Sequence, residues 1–465
     1  PYGCNYCKRR KIMANTNTTK DLSRTLKKGD LMSIAVGQII GAGVMVMSIA
    51  ALGMTGRSVN IAFVVAAVLT CFGSLPSIFM GSTIRVMGGF YSQAAIFVGD
   101  QFAGYYSVIQ IFASMSQAMF ATGLVSYLGS LIPVIYEHEL VFSVIFYMAF
   151  FVLNWFGTSW MAKVQSFMFY LLIIALVMFT VFGVPKVQWA GYFGNELFGE
   201  PLFSNGISGL LEAASYLTFA TGGATVIVSF SAEAVNPTKD IPVVIIASTV
   251  GVAVLYAFMS SCIGGILPAS EVMAAGNLSV IAKMIMPAPC YYFFVICGAC
   301  FALGTTLNSS IASAVKPLFA AAAAGWFPPV FARLNKHKIP YAWLMMFAIV
   351  NVVAIVSGMN ISMLGKLVLF IGNINSVFLI VGIMKLPKLF PEAWAKSPFH
   401  VSNTMLYVLL SLSLAVTLMQ AYMNCQNQPT WVIVSNVVMF IFAFVYSKVM
   451  LKSGKVKVSA NYELL

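Results

Sequence analysis

Two glycine-rich stretches mark where the backbone of this 465-residue chain could itself bind a small molecule. The first has three glycines in seven residues, Gly37, Gly41 and Gly43, and the second has Gly222 and Gly223. Each glycine weakens a helix by roughly 1 kcal/mol relative to alanine. A broken helix exposes amide groups that suit a carboxylate and carbonyl groups that suit an ammonium. These residues therefore predict binding of a small zwitterion without charged side chains.

Both stretches lie within long apolar segments. Hydrophobic residues make up 60% of the chain and charged residues 8%, which leaves too little polar surface for a water-soluble fold. A hydrocarbon core about 30 Å thick needs about 20 helical residues, and the continuous apolar runs have that length. We therefore predict an all-α membrane protein with twelve transmembrane helices. The predicted spans are 31–54, 60–84, 101–132, 140–159, 164–184, 207–233, 241–267, 290–320, 341–358, 362–384, 403–423 and 431–451.

The basic residues lie mostly on one side of these spans. Of the 26 Lys and Arg residues, 21 fall in the two tails or in the loops on the same side as the tails. By the positive-inside rule, both termini face the cytoplasm. The net charge of +13 then orients the chain against anionic lipid headgroups, and we expect no nucleic-acid partner. We expect a multi-pass protein of the plasma membrane.

The first glycine stretch alone has two interpretations, because Gly37 and Gly41 are four residues apart and also fit close packing of helices. The second stretch lies at mid-membrane, where unpaired backbone groups are tolerated only beside a cavity or ligand. Two interrupted spans, five spans apart, are typical of an inverted repeat of five helices with its binding site at the midplane. The pair of stretches therefore favours a binding site over simple packing.

Several motifs resemble those of the amino acid–polyamine–organocation (APC) superfamily of transporters. Residues 37–44 match its first-span pattern G-x-x-I-G-x-G-[IV], and residues 219–223, with Glu233 after them, match its sixth span. Residues 88–91 and 325–340 are similar to its loops after spans 2 and 8. The motifs are closest to the basic amino acid/polyamine antiporter and L-amino-acid exchanger branches.

This resemblance implies a leucine-transporter-like 5+5 inverted repeat with broken helices 1 and 6. It divides the chain into a cytoplasmic tail (1–30), a transport core (31–384), a final pair of helices (385–451) and a second cytoplasmic tail (452–465). It also implies that the first break binds the substrate carboxylate and that the second meets the amino group. The residues concerned are Ile40, Gly41, Ala42 and Gly43 in the first break and Phe219, Ala220, Thr221, Gly222 and Gly223 in the second.

Departures from the family pattern bear on the substrate. Ala224 and Thr225 are often bulkier in the family, and the arginine and polyamine branch commonly has a glutamate at the latter position. A cationic side chain would lose its counter-charge here, so we expect a neutral amino acid, including a large one. Phe219 falls where the family places an aromatic gate, although packing in the core also explains an aromatic residue there.

Further polar residues in the spans have both a functional and a structural interpretation. Gln110, Ser114 and Gln117 form a stripe at i, i+4 and i+7, which fits substrate contact or hydrogen bonds between helices. Ser309 and Ser310 lie where sodium-coupled relatives place hydroxyl ligands, and Ser310 is also a candidate for substrate contact. Both serines equally fit helix packing. Asn373 and Asn375 in the tenth span are weaker candidates for a functional contact.

Two charged residues within spans are candidates for gating or coupling. Glu212 lies two turns before Phe219, where it could bind a proton, attract an ammonium or face water in an outer vestibule. Lys316 lies near a family arginine, while Leu172 replaces the lysine of proton-coupled members, which favours exchange. We predict no metal site, because Cys4 and Cys7 would need a second ligand pair on the same side, and Cys297 and Cys300, which have the spacing, lie inside the eighth span.

We therefore expect an alternating-access exchanger of neutral amino acids that is not an enzyme and needs no cofactor. The alternatives are a proton- or sodium-coupled symporter, an amine/amino-acid antiporter and a membrane sensor that binds amino acids without transporting them. The expected partners are the amino acid and the lipid bilayer, and a homodimer stays an open alternative.

Overall fold

The computed structural model is mostly helical and describes residues 24–41, 43–86, 88–194, 197–358, 361–426, 429–458 and 462–464. Ala42, one of the predicted binding residues, lies outside the described residues, and so do residues 1–23 of the predicted tail. Helix is present in every segment that was expected to span the membrane, with boundaries close to those expected.

The longer helices are named here in chain order. They are α1 (Lys28–Ile39), α2 (Ser48–Thr55), α3 (Val59–Gly81), α4 (Asp100–Ala113), α5 (Ser116–Gly129), α6 (Glu139–Trp155), α7 (Thr158–Gly183), α8 (Gly206–Thr221), α9 (Pro237–Gly265), α10 (Phe301–Ala323), α11 (Tyr341–Val356), α12 (Ile361–Ile383), α13 (Asn403–Gln426) and α14 (Thr430–Lys452). Shorter α-helices are Gly89–Gln93, Pro133–Glu137, Trp189–Tyr192, Ala269–Ala275, Ser279–Ile285, Ala288–Phe293, Leu386–Leu389 and Pro391–Ala395. The π-helical segments are Gly43–Met47, Ala94–Val98 and Phe294–Cys300, and the 3₁₀ segments are Gly56–Ser58, Val184–Lys186, Leu197–Gly199, Ala224–Phe230 and Pro329–Ala332.

The outer surface of the helices is apolar. Among the described residues, eight helical segments are long and apolar enough to cross a membrane, and three shorter apolar helices accompany them. Large side chains such as Val68, Tyr170 and Ile349 are exposed on this surface. Because soluble proteins rarely expose such extended apolar patches, the surface suits contact with lipid.

The helices pack in two groups that meet at α1. In one group α3 packs along α8 and α9, and α1 packs against α9 and the 3₁₀ segment Ala224–Phe230. In the other group α10 packs against α5, α6 and α7, while α11 packs against α6. Because α1 also contacts α7 and α10, the end of α1 lies between the two groups.

A small sheet joins distant parts of the chain at one end of the bundle. Strand β1 (Ile84–Val86) follows α3 and pairs antiparallel with β2 (Tyr462–Leu464) near the carboxyl terminus. The Lys457 amide donates a hydrogen bond of 2.9 Å to the Ala324 carbonyl, just after α10. The described part of the carboxyl-terminal tail therefore lies against loops of both helix groups.

Candidate functional site

The first glycine stretch interrupts a helix beside α10. α1 ends at Ile39, Gly41 lies in a bend, and a π-helical segment begins at Gly43. A side chain at Gly41 would overlap the Thr306 hydroxyl, and a Cβ at Gly43 would lie 2.6 Å from the Ala220 Cα atom. Glycine is therefore needed here for close approach between helices as well as for the break.

The second stretch interrupts a helix directly opposite the first. α8 ends at Thr221, Gly222 is extended, and Gly223 has a φ of +103° before the 3₁₀ segment begins. This φ lies in a region that residues with a Cβ rarely adopt. A Cβ at Gly223 would also lie 2.9 Å from the Cγ atom of Gln38. The two breaks therefore touch each other through Gln38.

Side chains supply donors to the carbonyl groups that the first break frees. The Thr306 hydroxyl donates to the Gly37 carbonyl at 2.7 Å, and the Tyr256 hydroxyl donates to the Ile39 carbonyl at 3.1 Å. Unpaired backbone groups at membrane depth cost several kcal/mol. These bonds from α10 and α9 therefore stabilise a break that lipid alone would not tolerate.

A cavity of about 320 Å³ opens beside the two breaks. This volume is near the lower end of the roughly 300–1,000 Å³ that small-molecule sites occupy. We call it the first cavity. It is lined by Gln38, Ile39, Gly43, Leu69, Thr70, Gly73, Ser74, Phe120, Thr218, Phe219, Gly222, Gly223, Thr225, Thr306, Gly372, Asn373, Ser376 and Gln420.

A second cavity of about 330 Å³ adjoins the first. The two share Gln38, Phe120, Phe219, Gly372 and Ser376, so these residues form the wall between them. The remaining residues of the second cavity are Phe90, Ala94, Phe102, Tyr106, Gln110, Ala113, Ser114, Ser116, Gln117, Val226, Ser310, Ser313, Ala314, Asn375 and Leu379.

Neither cavity is lined by a charged side chain among the residues that the structure describes. Their polar groups are hydroxyls, carboxamides and backbone atoms. A ligand that carries a net charge on its side chain would leave that charge without a partner, which is costly away from water. The cavities therefore suit a neutral side chain.

The structure brings many of the predicted binding residues to these cavities. Gly43, Phe219, Gly222, Gly223 and Thr225 line the first cavity. The predicted polar stripe of α4 and α5, with Gln110, Ser114 and Gln117, lines the second cavity together with Ser310 and Phe219.

Other predicted residues lie behind the cavity surface. Ile40, Gly41, Ala220 and Ala224 are buried and do not line either cavity. Thr221 is also buried, and its hydroxyl lies 2.6 Å from that of Thr70 on α3.

Gln38 was not among the predicted binding residues, yet it lies at the centre of the site. Its Oε1 atom accepts hydrogen bonds from Ser309 and Ser310, and its Nε2 atom donates to the Ser310 hydroxyl at 3.1 Å. The two serines thus face Gln38, whereas Thr305 and Thr306 face the carbonyls of the first break. The only sequence signal for Gln38 was a polar side chain between two glycines of an apolar helix.

Lys316 forms a largely buried ion pair with Glu233, in which the side chains are 15% and 10% exposed. Its Nζ atom lies 2.7 Å from the carboxylate and 3.8 Å from the centre of the Phe230 ring, a cation–π contact. Lys316 lies on α10, and Glu233 follows the segment after the second break. The ion pair therefore joins the two helix groups. Glu233 belongs to the sixth-span motif, but nothing in the sequence predicted that it is the partner of Lys316.

Two further ion pairs adjoin this one. Glu463 on β2 pairs with Arg24 at 3.1 Å and with Arg85 at 3.4 Å, and Arg85 also donates to the carbonyl of Val235. The pKa of the Arg85 guanidinium is lowered, mainly by burial and also by the nearby Arg24, and Glu463 offsets only part of this effect. We call Arg24, Arg85, Glu233, Lys316 and Glu463 the ionic cluster.

Glu212, the other predicted coupling residue, lies apart from both cavities. It is half-buried on α8 and does not line the first or the second cavity. Among the described residues, no group of three or more His, Cys, Asp or Glu side chains could hold a metal ion.

Comparison with known proteins gives one family and several relatives. The family model for amino acid permeases matches residues 30–462. The chain is 25% identical to the branched-chain amino acid permease BcaP of Bacillus subtilis, across 94% of this chain and 97% of that protein. It is 22% identical to the methylthioribose transporter of the same organism, across 91% of this chain and 94% of that protein. It is 26% identical to the human large neutral amino acids transporter small subunit 2, across 74% of this chain and 66% of that protein.

Proposed function

The chain belongs to the amino acid permease family and is a multi-pass membrane transporter rather than an enzyme, and we propose that it exchanges neutral amino acids. The observation that carries this proposal is a pair of broken helices that meet at uncharged cavities. The names of the permease and large neutral amino acids transporter relatives support amino acids as the class of substrate.

The proposed architecture is a leucine-transporter-like repeat of twelve membrane-spanning helices with both termini in the cytoplasm of a plasma-membrane protein. The two glycine breaks, five spans apart, support this arrangement. The packing of α3 with α9 and of α5 and α6 with α10 and α11 supports two bodies that move against each other. Alternating access would then be a rocking of α1, α3, α8 and α9 against the other group.

In the proposed complex the substrate lies in the first cavity. Its carboxylate would meet the backbone at Gly43, where a helical segment begins, and its amino group would meet the carbonyls before Gly222. Helix ends carry partial charges of the required sign, positive at the start and negative at the end. Recognition of this kind needs no charged side chain, which agrees with the uncharged lining of the cavity.

Phe219 and the ionic cluster would form successive gates. Phe219 lines both cavities, so movement of its ring would connect or separate them. The Lys316–Glu233 pair holds the two helix groups together at one end, and it would have to separate when that end opens. Exchange results if the loaded carrier makes this change faster than the empty one.

Sodium-coupled symport is the second candidate, and one cluster of oxygen atoms favours it. The hydroxyls of Thr305 and Thr306 meet the carbonyls of Gly37 and Ala302 within 2.7–3.3 Å, and Thr306 lies 3.5 Å from the Ile40 carbonyl. A hard cation prefers such oxygen ligands. Each threonine hydroxyl has one proton to donate, and the shortest contact pairs that of Thr306 with the Gly37 carbonyl, so this carbonyl is satisfied without an ion.

The test is transport by purified protein in liposomes. We expect labelled neutral amino acid to accumulate in vesicles preloaded with unlabelled amino acid and not in empty vesicles, with protein-free vesicles as the control. Uptake into empty vesicles driven by a sodium or proton gradient would contradict exchange and favour symport. Exchange of an amine for an amino acid would favour an amine/amino-acid antiporter. Binding without flux would favour a sensor.

A further inference from the structure

We propose that one wall of the first cavity is a side-chain subsite that selects neutral amino acids carrying a hydroxyl or a carboxamide. We call it the far wall, and it is formed by Ser74, Asn373, Ser376 and Gln420. The inference rests on the proposed function, since it assumes that the amino acid is held at the helix breaks. It names the substrate class and the residues that select it.

The far wall comes from helices that do not contain the breaks. Ser74 lies on α3, Asn373 and Ser376 lie on α12, and Gln420 lies on α13. All four line the first cavity, with Ser376 at the edge that the far wall shares with the second cavity. These three helices pack on one another, with α13 against both α3 and α12. A substrate whose charged groups lie at Gly43 and Gly222 would therefore direct its side chain toward this wall.

The hydrogen-bonding groups of the wall are unequal. The Ser74 hydroxyl donates to the Thr70 carbonyl and the Ser376 hydroxyl donates to the Gly372 carbonyl, both at 2.9 Å. Their protons are used, but their oxygen atoms can still accept. By contrast, the Asn373 Nδ2 atom is shielded from solvent and has no hydrogen-bond partner in the described part of the chain. Because Asn373 itself lines the cavity, a turn of its carboxamide toward the ligand would present this unpaired donor beside the two serine acceptors.

This combination matches a ligand group that both accepts and donates. A hydroxyl or carboxamide on the substrate side chain would accept from Asn373 and donate to a serine oxygen. An aliphatic side chain of the same shape would leave the Asn373 amide unpaired, and a buried unpaired donor lowers the affinity. Sites built to bond a substrate group discriminate more strongly than purely apolar pockets do.

Asn375 provides a matched control. It lies two residues from Asn373 on the same helix, and its Oδ1 atom is likewise buried without a partner among the described residues. However, it lines the second cavity and not the first. A substitution at Asn375 therefore repeats the loss of a carboxamide from α12 without altering the proposed subsite.

The test compares threonine with valine, which have the same shape but differ by a hydroxyl. Thermal stabilisation of the purified protein measures binding, and exchange into preloaded liposomes measures transport. We expect both to favour threonine by about tenfold, equivalent to roughly 1.4 kcal/mol. Asn373→Leu should remove most of this preference, whereas Asn375→Leu should preserve it. Gln420→Leu, on a different helix, should also reduce it.

The outcomes separate this inference from the proposed function. Binding that favours threonine, without exchange, would contradict the transport proposal and retain the subsite. Exchange in which valine equals or exceeds threonine would overturn the subsite and retain the transport proposal. Equal loss of preference in Asn373→Leu and Asn375→Leu would also overturn it, because the effect would then not be specific to the first cavity. The comparison of wild-type substrates needs no variant, so a misfolded variant does not prevent the test.

Discussion

The cavity region and the ionic cluster handle charge in opposite ways. Both cavities at the helix breaks are lined by neutral groups, although the first is proposed to bind a zwitterion. At one end of the bundle, by contrast, Lys316, Glu233, Arg85 and Glu463 pair across different elements. The difference suggests a division of roles, in which backbone groups recognise the substrate and side-chain charges hold the two helix groups together.

The largest effect is expected from a side chain at the second break. Gly223→Val should abolish exchange, a loss of more than about 100-fold, because the valine would meet Gln38 and would strain a backbone with a φ of +103°. Liposome exchange measures the loss. Gly251→Val on α9 is the control, since a Cβ there meets no atom within 4 Å. Equal activity in the two variants would show that the break is not part of the site.

The next effect concerns the buried ion pair. Lys316→Met or Glu233→Met alone leaves one charge buried without its partner, and such changes typically cost about 3–5 kcal/mol. We expect a large fall in thermal stability for each single variant and recovery of most of it in the double variant. A double variant that is no more stable than the single ones would contradict the role of this pair as a link between the helix groups.

A smaller effect tests the uncharged character of the first cavity. Thr225→Glu should allow exchange of arginine, raising its rate about tenfold, because the new carboxylate would partner the cationic side chain. Thr225→Gln, which has a similar shape without the charge, should not do so. Competition by arginine against a labelled neutral amino acid gives the measurement, and unchanged competition in Thr225→Glu would argue against substrate contact at this position.

The smallest effect is expected at the exposed end of the ionic cluster. The side chains of Arg24 and Glu463 are 43% and 40% exposed, so their pair is screened by solvent and should contribute less than about 1 kcal/mol. Arg24→Gln should therefore lower the stability only slightly at low salt, since it leaves Glu463 paired with the buried Arg85. In about 1 M salt the difference from wild type should disappear. A loss as large as that of Glu233→Met would remove the contrast between the buried and exposed pairs.

The sequence predicted the helices well because membrane thickness imposes their length, and it predicted the breaks because glycine is rare in the middle of a stable helix. It did not predict the contacts between distant segments. Gln38 and Ser310 are 272 residues apart, and Lys316 and Glu233 are 83 apart. Which faces of two apolar helices meet depends on packing, and a single sequence contains little information about it. For the same reason Gln420 on α13, outside the predicted core, was not expected at the first cavity.

Only some of the residues predicted at the second break line the first cavity. Phe219 and Gly223 line the cavity because they flank the break itself, where the backbone must open. Thr221 and Ala224 flank the two glycines in sequence, but both side chains are buried and do not line the cavity, because the path of the chain turns them toward neighbouring helices. Motif position therefore identified the segment, whereas the three-dimensional path determined which of its residues reach the cavity.

The most direct test of the account is whether the substrate needs both of its charged α-groups. Competition for liposome exchange should be measured with a neutral amino acid, its carboxamide and the corresponding acid without the amino group. We predict that only the intact amino acid competes, since each helix break would lose its partner in one of the two analogues. Competition by both analogues at the level of the amino acid would contradict recognition of the substrate by the broken helices.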